Sequence, residues 1–442
     1  MPHVESSSRG AIEELERALK SHPLVKTLVG LRGNVRGCVY TEPLWGIPFN
    51  LYAPYVSVYM LTLGLTDSRI GLVVTIGQAF QVLWTMLSGA LTDKLGRKRA
   101  TLIFDLLSWS VPCLIWAVAQ NFTYFVAAAI VNAMWRVPHN SWNLLLVEDT
   151  NPDLLVDVWS WVQIAGLIAA FVSPLTGLLI AQFSLVPTIR GLYLLAFVMM
   201  TIKFVIMNSM VTETKQGVVR MAETRGQPLF AVLRGYPTVL RRLLGARVTL
   251  LTAALMLVLQ ICLLIRGAFW SILVTEKLLI PDEYLALYAF ARSIIMLAFY
   301  FLAMPRLRDL DARKSITLGF LGLILSYVLL ISVPPGNYWL LLLATAIEAC
   351  SMPMANTILQ KLIVVNVEAE ERARIMAILN MGIILFTSPF GWIAGRMSEV
   401  NRSLPFILSI ALFGLGVLLT YFVAREGRRG AVEGIAEEPA QV

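Results

Sequence analysis

Charge is scarce in this chain. Asp, Glu, Lys and Arg make up 14% of its 442 residues against 57% hydrophobic ones, too few charges to cover the surface of a soluble globular protein of this length. Residues that carry chemistry are scarce too. There are three histidines, His3, His22 and His139, and four cysteines, Cys38, Cys113, Cys262 and Cys350. No two cysteines are spaced as a redox or zinc pair, so neither a disulfide nor a metal site is expected, and no cofactor. No HExxH, no GxSxG and no phosphate-cradling glycine loop occurs, which argues against an enzyme. The start, "MPHVESSSRGAIEELERALK", lacks the apolar core of a secretory signal and is expected to stay in the cytoplasm.

What the chain has in quantity is apolar length. About 20 mostly apolar residues in a helix cross roughly 30 Å of hydrocarbon, and twelve such runs are read here: near 40–63, 70–92, 100–120, 123–146, 158–183, 189–211, 248–276, 283–304, 314–334, 338–364, 373–397 and 403–425. The net charge of +8 is explained by where the charges fall. With twelve spans and a cytoplasmic N-terminus, the short inner loops hold Lys94, Arg97, Lys98 and Arg99, then Arg306, Arg308, Arg313 and Lys314, then Arg372 and Arg374. The outer loops keep few. That distribution is the positive-inside pattern, so the surplus reads as topology and no nucleic-acid partner is expected. Both termini are placed in the cytoplasm of a multi-pass protein of the cell (inner) membrane.

The organisation is expected in five parts. Residues 1–38 form an N-terminal cytoplasmic segment with an amphipathic pattern suited to the inner membrane face, 39–211 a six-helix bundle, 212–247 a basic cytoplasmic linker, 248–425 a second six-helix bundle, and 426–442 a cytoplasmic tail. A repeat joins the bundles. Sliding the chain by 216 lays "GALTDKLGRKRATL" over "PRLRDLDARKSITL", pairing Asp93 with Asp309 and Arg97 with Arg313; the same shift pairs Asn140 with Asn356 and sets Glu348 on Asn132. Each half also carries a Ser-Pro pair in its fifth span, Ser173-Pro174 and Ser388-Pro389. Duplicated membrane halves around a central site are characteristic of transporters.

"GALTDKLGRKRA" follows the pattern G-x-L-x-D-x-x-G-R-[KR]-[KR] between spans two and three. It resembles the loop motif of the major facilitator superfamily. With twelve spans, a charged central linker and a degraded second copy of the motif, the resemblance covers about residues 39–425. It implies an all-α integral membrane fold of two pseudo-symmetric six-helix bundles, and alternating access between them. It also implies a latch on the cytoplasmic side built from Gly89, Asp93, Gly96 and Arg97 with the second copy's Asp309 and Arg313. Gly89 would allow close helix packing. Asp93 would face the start of span eleven near Arg372, and Arg97 would meet Glu148 or Asp149 at the end of span four. For Lys98 and Arg99 topology alone suffices as an explanation. Many proton-antiport facilitators carry an arginine in span four and G-P-x-x-G-G in span five. Arg136 fits the first, but "SPLTG" departs from the second.

A charge at mid-bilayer costs about 2.5–3.5 kcal/mol on insertion scales, so it is usually paired or faces water. The deep charges are Arg136 in span four, Arg266 in span seven, Arg292 in span eight and Glu348 in span ten; Glu42, Asp105 and Lys203 are less central, the first two near the cytoplasmic ends of their spans. In "NAMWRVPHNSWNLLL", Asn132, Arg136, His139, Asn140 and Asn143 share one helix face. By the resemblance, spans one, four, seven and ten line the cavity. The substrate-binding set is therefore Arg136, His139, Asn140 and Asn132, Arg266 and Trp270, Asn50 and Tyr52, and Asn356, with Glu348 and Arg292 as the coupling pair. Three arginines against one carboxylate favour an anionic organic substrate, because the guanidinium fork suits carboxylate and phosphate oxygens. A purely structural alternative pairs Glu348 with Arg292 and leaves Arg136 on backbone or Asn132. The expected function is secondary active transport by a monomer of a small organic solute, coupled to protons through Glu348. The alternatives are multidrug or cation efflux by proton antiport, and transport of a lipid or lysolipid entering from the surrounding membrane.

Overall fold

A computed structural model describes residues 23–229, 247–303, 312–365 and 372–436. Among these, every regular element is helical. The spans are α1 (33–62), α2 (Asp67–Leu95), α3 (Arg97–Ala117), α4 (122–147), α5 (Pro152–Phe183), α6 (Leu185–Met210), α7 (Arg247–Lys277), α8 (Asp282–Leu302), α9 (Ala312–Ser332), α10 (Tyr338–Val365), α11 (372–400) and α12 (Leu404–Ala436). Ten helices among the described residues are long and apolar enough to cross a membrane. The other two expected spans, α1 and α4, are present as strings of shorter helices.

Proline explains most of the interruptions. A proline offers no N–H to the carbonyl four residues back, and the preceding turn must adjust. In α1, Pro43 starts the segment Pro43–Tyr52 and Pro54 lies in the 3-10 turn Ala53–Tyr55. In α4, the 3-10 turn Ala133–Trp135 comes just before Pro138 and makes Arg136 the first residue of the next helical segment. In α5, Ser173 repairs what Pro174 breaks: its Oγ donates to the Ala170 carbonyl at 2.7 Å, the group that residue 174 cannot reach. α10 runs through Pro353 as a single helix, so of the four kinks that prolines in α4, α5, α10 and α11 suggest, three coincide with interruptions.

Two boundaries differ from expectation. The first run begins at Gly33, preceded by a short helix Pro23–Gly30, and α12 continues to Ala436. Hydropathy locates hydrocarbon, and helical backbone continues past it wherever the polar residues tolerate a helix. Residues 1–22, and with them most of the expected amphipathic segment, lie outside the described residues.

α1–α6 and α7–α12 form the two halves. The face carrying Lys94, Arg97, Lys98 and Arg99 is called the basic face, and the opposite one the far face. Among the described residues, every hydrogen bond between halves lies toward the far face. α2 meets α11: Ser388 Oγ donates to the Thr75 carbonyl at 3.1 Å, and Thr75 Oγ1 donates to the Ser388 carbonyl at 2.8 Å. α5 meets α8: Ser173 Oγ also reaches the Ala286 carbonyl at 3.3 Å, and the Ala286 N–H donates to Tyr55 Oη at 3.2 Å. Both Ser-Pro pairs of the repeat thus sit in the seam. Glycine lets the backbones touch there. A Cβ on Gly71 would collide with the Gly391 carbonyl and lie 3.1 Å from Gly395 Cα, and one on Gly177 would collide with the Glu283 carbonyl. At the rim, Ser398 Oγ donates to buried Asp67 at 2.6 Å, and Arg402 bridges Asp67 (3.7 Å) and Glu276 (3.3 Å). The molecule is closed on its far face.

Gly71→Val is expected to force that seam apart. In detergent, a cysteine introduced at Ser68 should then react with a maleimide at least several-fold faster than in the otherwise unchanged protein, with helical content retained; an equal rate would show that the seam tolerates the side chain.

Candidate functional site

The polar stripe of α4 is held from two sides. Asn132 Nδ2 donates to the Ser108 carbonyl at 2.7 Å, inside the π turn Leu106–Ser110 of α3. A π turn leaves carbonyls out of the regular ladder, and this asparagine satisfies one of them. Asn140 Nδ2 donates to Thr92 Oγ1 on α2 at 3.2 Å. Between them, Arg136 Nε donates to Gln81 Oε1 on α2 at 2.9 Å, and the guanidinium carbon lies 4.2 Å above the Trp135 ring. Arg136 has no ion pair among the described residues, and its two terminal nitrogens have no hydrogen-bond acceptor there. It is therefore not tied to Asn132 or to backbone. One turn on, His139 is exposed and packs edge-on against Trp135 at 5.3 Å.

The second half gathers the other three deep charges. Arg266 Nε lies directly against Glu348 Oε1, and Arg292 Nε is 3.6 Å from the same oxygen; Glu348's side chain is 4% exposed against 19% and 22% for the arginines. The guanidinium of Arg266 stands 5.6 Å over Trp270, which meets Tyr288 at 6.2 Å. Arg266, not Arg292, is the nearer partner of Glu348. Two arginines share one carboxylate, leaving one positive charge over. Glu348 is ten residues into α10 and Arg292 ten into α8, each about 15 Å deep at 1.5 Å per residue.

The remaining candidates divide. Asn50 bonds back to the Gly46 carbonyl of its own helix at 2.8 Å. Tyr52 is 3% exposed among Phe49, Trp116 and Tyr193, in the packed interior of the first half and away from the arginines. Asn356 is half-buried on α10. Gln81 went unnoticed in the sequence because a glutamine in a long apolar helix carries no signal of what it faces.

The loop motif folds into a compact knot. Gly96 has φ +83°, a conformation open to glycine and strained for other residues. Arg97 is 3% exposed; it holds Glu148 through Nη2 at 3.0 Å and Nε at 3.1 Å, and Asp93 through Nη1 at 3.0 Å. Glu213, just beyond α6, caps the start of α3 by accepting from the Arg97 and Lys98 N–H groups at 2.8 and 3.1 Å, a carboxylate on the positive end of a helix. Thr214 Oγ1 donates to Glu148 at 2.5 Å. The linker helix Lys215–Glu223 follows, and Thr224 Oγ1 reaches the Asp93 carbonyl at 3.3 Å. Gly89 departs from expectation, since a Cβ there would meet nothing within 4 Å. Close approach through glycine occurs instead at the far-face seam. Arg313 stands 5.1 Å over Tyr421, whereas Asp309 and the Arg372 side chain lie outside the described residues.

The sequence matches the Major Facilitator Superfamily over residues 45–383 and 261–442. The chain belongs to that superfamily. Its fold agrees: it superposes on a single-residue mutant of the nucleoside transporter NupG with a TM-score of 0.70 at 15% identity, covering 89% of this chain and 99% of that one. On the human organic anion transporter MFSD10 the TM-score is 0.59 at 16% identity, covering 87% and 98%. At these identities the likeness is one of fold. Among curated proteins, the quinolone resistance protein NorA of Staphylococcus aureus is 34% identical over 84 residues, 19% of this chain. That match spans about a fifth of NorA's length. The chain is thus an integral membrane protein of a transporter superfamily.

Glu148→Gln tests the knot. Arg97 would keep Asp93 but lose a paired and largely buried carboxylate, a change worth about 3 kcal/mol; a clear drop in melting temperature is expected, and no drop would mean that Asp93 and Glu213 suffice.

Proposed function

We propose that the protein moves a small organic anion across the membrane by alternating access. The observation that carries this reading is Arg136: a cation well inside α4, oriented by Gln81 and Trp135, with no carboxylate beside it among the described residues. Guanidinium donors in such a place are costly unless water or a ligand meets them. The positive charge left over by Arg266, Arg292 and Glu348 adds to the same preference. The basic face is the cytoplasmic one by the positive-inside rule, both termini lie there in the cell membrane, and closure at the far face corresponds to a state open to the cytoplasm. Asp93 and Arg97 act as a latch on that side. Rocking about the Ser-Pro seam opens the outer face. The transporter works as a monomer within membrane lipid.

Glu348 carries the proton. An arriving anion competes with it for the two arginines, which links substrate binding to this carboxylate. A second reading, efflux of amphipathic drugs in exchange for protons, is favoured by the short likeness to a quinolone resistance protein. A third, a lipid substrate, is favoured by an apolar cavity of about 930 Å³ lined by Tyr288, Phe290, Trp339 and Leu343 between α8 and α10.

A thermal-shift screen of the purified protein against anionic, cationic and lipid compounds at two pH values separates the three, because specific binding stabilises the native state. Anionic hits should lose roughly ten- to hundredfold in affinity in Arg136→Ala while the unliganded melting temperature barely moves; hits confined to cations or lipids would overturn the anion reading. In proteoliposomes, Glu348→Gln should abolish accumulation driven by a pH gradient, and unchanged accumulation would remove Glu348 from coupling. Asp93→Asn should impair flux with insertion intact, and normal flux would dismiss the latch.

A further inference from the structure

The amphipathic N-terminal segment plays no part in the sites described so far. Its described portion is the short helix Pro23–Gly30, followed by α1 from Gly33. Two side chains pin that helix down. Thr27 Oγ1 donates to Asp157 on α5 at 2.8 Å, and Tyr40 Oη on α1 donates to the Leu28 carbonyl at 2.7 Å. Leu28 also packs on the buried cluster of Leu31, Val35, Val39 and Val158. The short helix therefore lies across the seam between α1 and α5.

Two cavities follow one another along that seam. Toward the basic face is a cleft of about 500 Å³ whose wall includes Lys26, Arg32, Asp149, Thr150 and Asn151. Deeper lies a groove of about 400 Å³ lined by Val39, Tyr40, Ile47, Ala165, Ile168 and Val172. The apolar runs of α1 and α5 begin near residues 40 and 158, so the polar cleft sits at the membrane surface and the apolar groove within the hydrocarbon. Along the groove, Val39–Ile47 and Trp161–Val172 run about 12 and 16 Å at 1.5 Å per residue. That is close to the roughly 15 Å of hydrocarbon in one leaflet. Tyr40 is 41% and Ile168 53% exposed, so the groove is open.

Charge follows the same order. Lys26, Arg32 and Arg36 are exposed and have no ion pair among the described residues. Arg32, Arg36 and Tyr40 succeed one another at four-residue steps on one helix face, and the Arg36 guanidinium stands 5.4 Å over the Tyr40 ring, where the groove begins. Of the nearby acids, Asp149 lines the cleft and Asp157 is engaged by Thr27. Cations remain in excess. Basic residues beside transmembrane helices attract anionic headgroups, each worth about fivefold in affinity, and an apolar groove at hydrocarbon depth takes a hydrocarbon chain. A molecule with phosphate and chain in that order is a phospholipid. We propose that the seam between α1 and α5 holds one anionic phospholipid of the leaflet at the basic face. Its phosphate lies against Lys26, Arg32 and Arg36, and an acyl chain runs along Tyr40, Ile47, Ala165 and Ile168. The site uses neither Arg136 nor the cavity between α8 and α10.

Native mass spectrometry of the full-length protein in detergent tests this with dioleoyl phosphatidylglycerol and with dioleoyl phosphatidylcholine, which has the same chains and no net charge. One phosphatidylglycerol should bind at least fivefold tighter than phosphatidylcholine. Lys26→Gln/Arg32→Gln should lower the affinity for phosphatidylglycerol about tenfold or more and leave phosphatidylcholine unchanged. Lys94→Gln/Arg99→Gln, an equal loss of exposed charge elsewhere on the basic face, should change neither. Ile168→Trp, which fills the groove, should weaken both lipids alike. The charge variants alter exposed side chains only and keep the test open should Ile168→Trp fail to fold. Equal affinities for the two lipids, equal losses in the two charge variants, or binding unmoved by a folded Ile168→Trp would each overturn the proposal. Displacement of the lipid by glycerol phosphate, which has the headgroup chemistry without the chains, would overturn it too and leave a phosphate site.

Discussion

Hydrocarbon does not solvate charge, and the arrangement of this protein follows from that constraint. Each ionised group inside the membrane has to be matched by a counter-charge, a dipole, a ring face or something that arrives from outside. Arg266 and Arg292 are matched by Glu348, and Lys203 by Glu42. Arg136 has an amide and an indole face, which orient it without neutralising it. The unmatched remainder is what gives the interior its chemical preference.

The two halves share a scaffold and divide the chemistry. Ser-Pro pairs recur in α5 and α11 and meet the opposite half through main-chain carbonyls in both places. The charges deep in the spans do not recur as those of the loop motif do: where the first half has Arg136 the second has Met352, and where it has Asn132 the second has Glu348. The first half buries one lysine on one glutamate and the second two arginines on one glutamate. Duplication thus supplied hinges and packing, and divergence supplied function.

The fold was legible because its signals are additive. Twelve apolar runs, a charge bias in the loops and a repeated motif each point to the same architecture, and the resemblance implied an acid for Arg97 at the end of span four, Glu148 or Asp149, of which the structure has Glu148. What escaped was direction around a helix axis. Sequence fixes the depth of Arg266, Arg292 and Glu348 but not which arginine turns toward the carboxylate. It marks Tyr52 as an aromatic on a cavity helix without saying that the ring faces Tyr193. The contacts of Gln81 with Arg136 and of Lys203 with Glu42 were hidden for the same reason, since the partners lie on different helices with no spacing in common. Glycine was misleading in a related way: Gly89 belongs to the motif yet touches nothing, while Gly71, outside any motif, touches backbone.

The seam at the far face is made almost wholly of small residues resting on carbonyl groups. Carbonyls are common to every amino acid, so the seam demands smallness rather than identity. A Cβ at position 71, 177, 391 or 395 would run into backbone of the other half, so among related sequences these positions should stay glycine as firmly as the loop glycine at 96. One added methyl group in that seam would act on how readily the protein opens without touching what it carries.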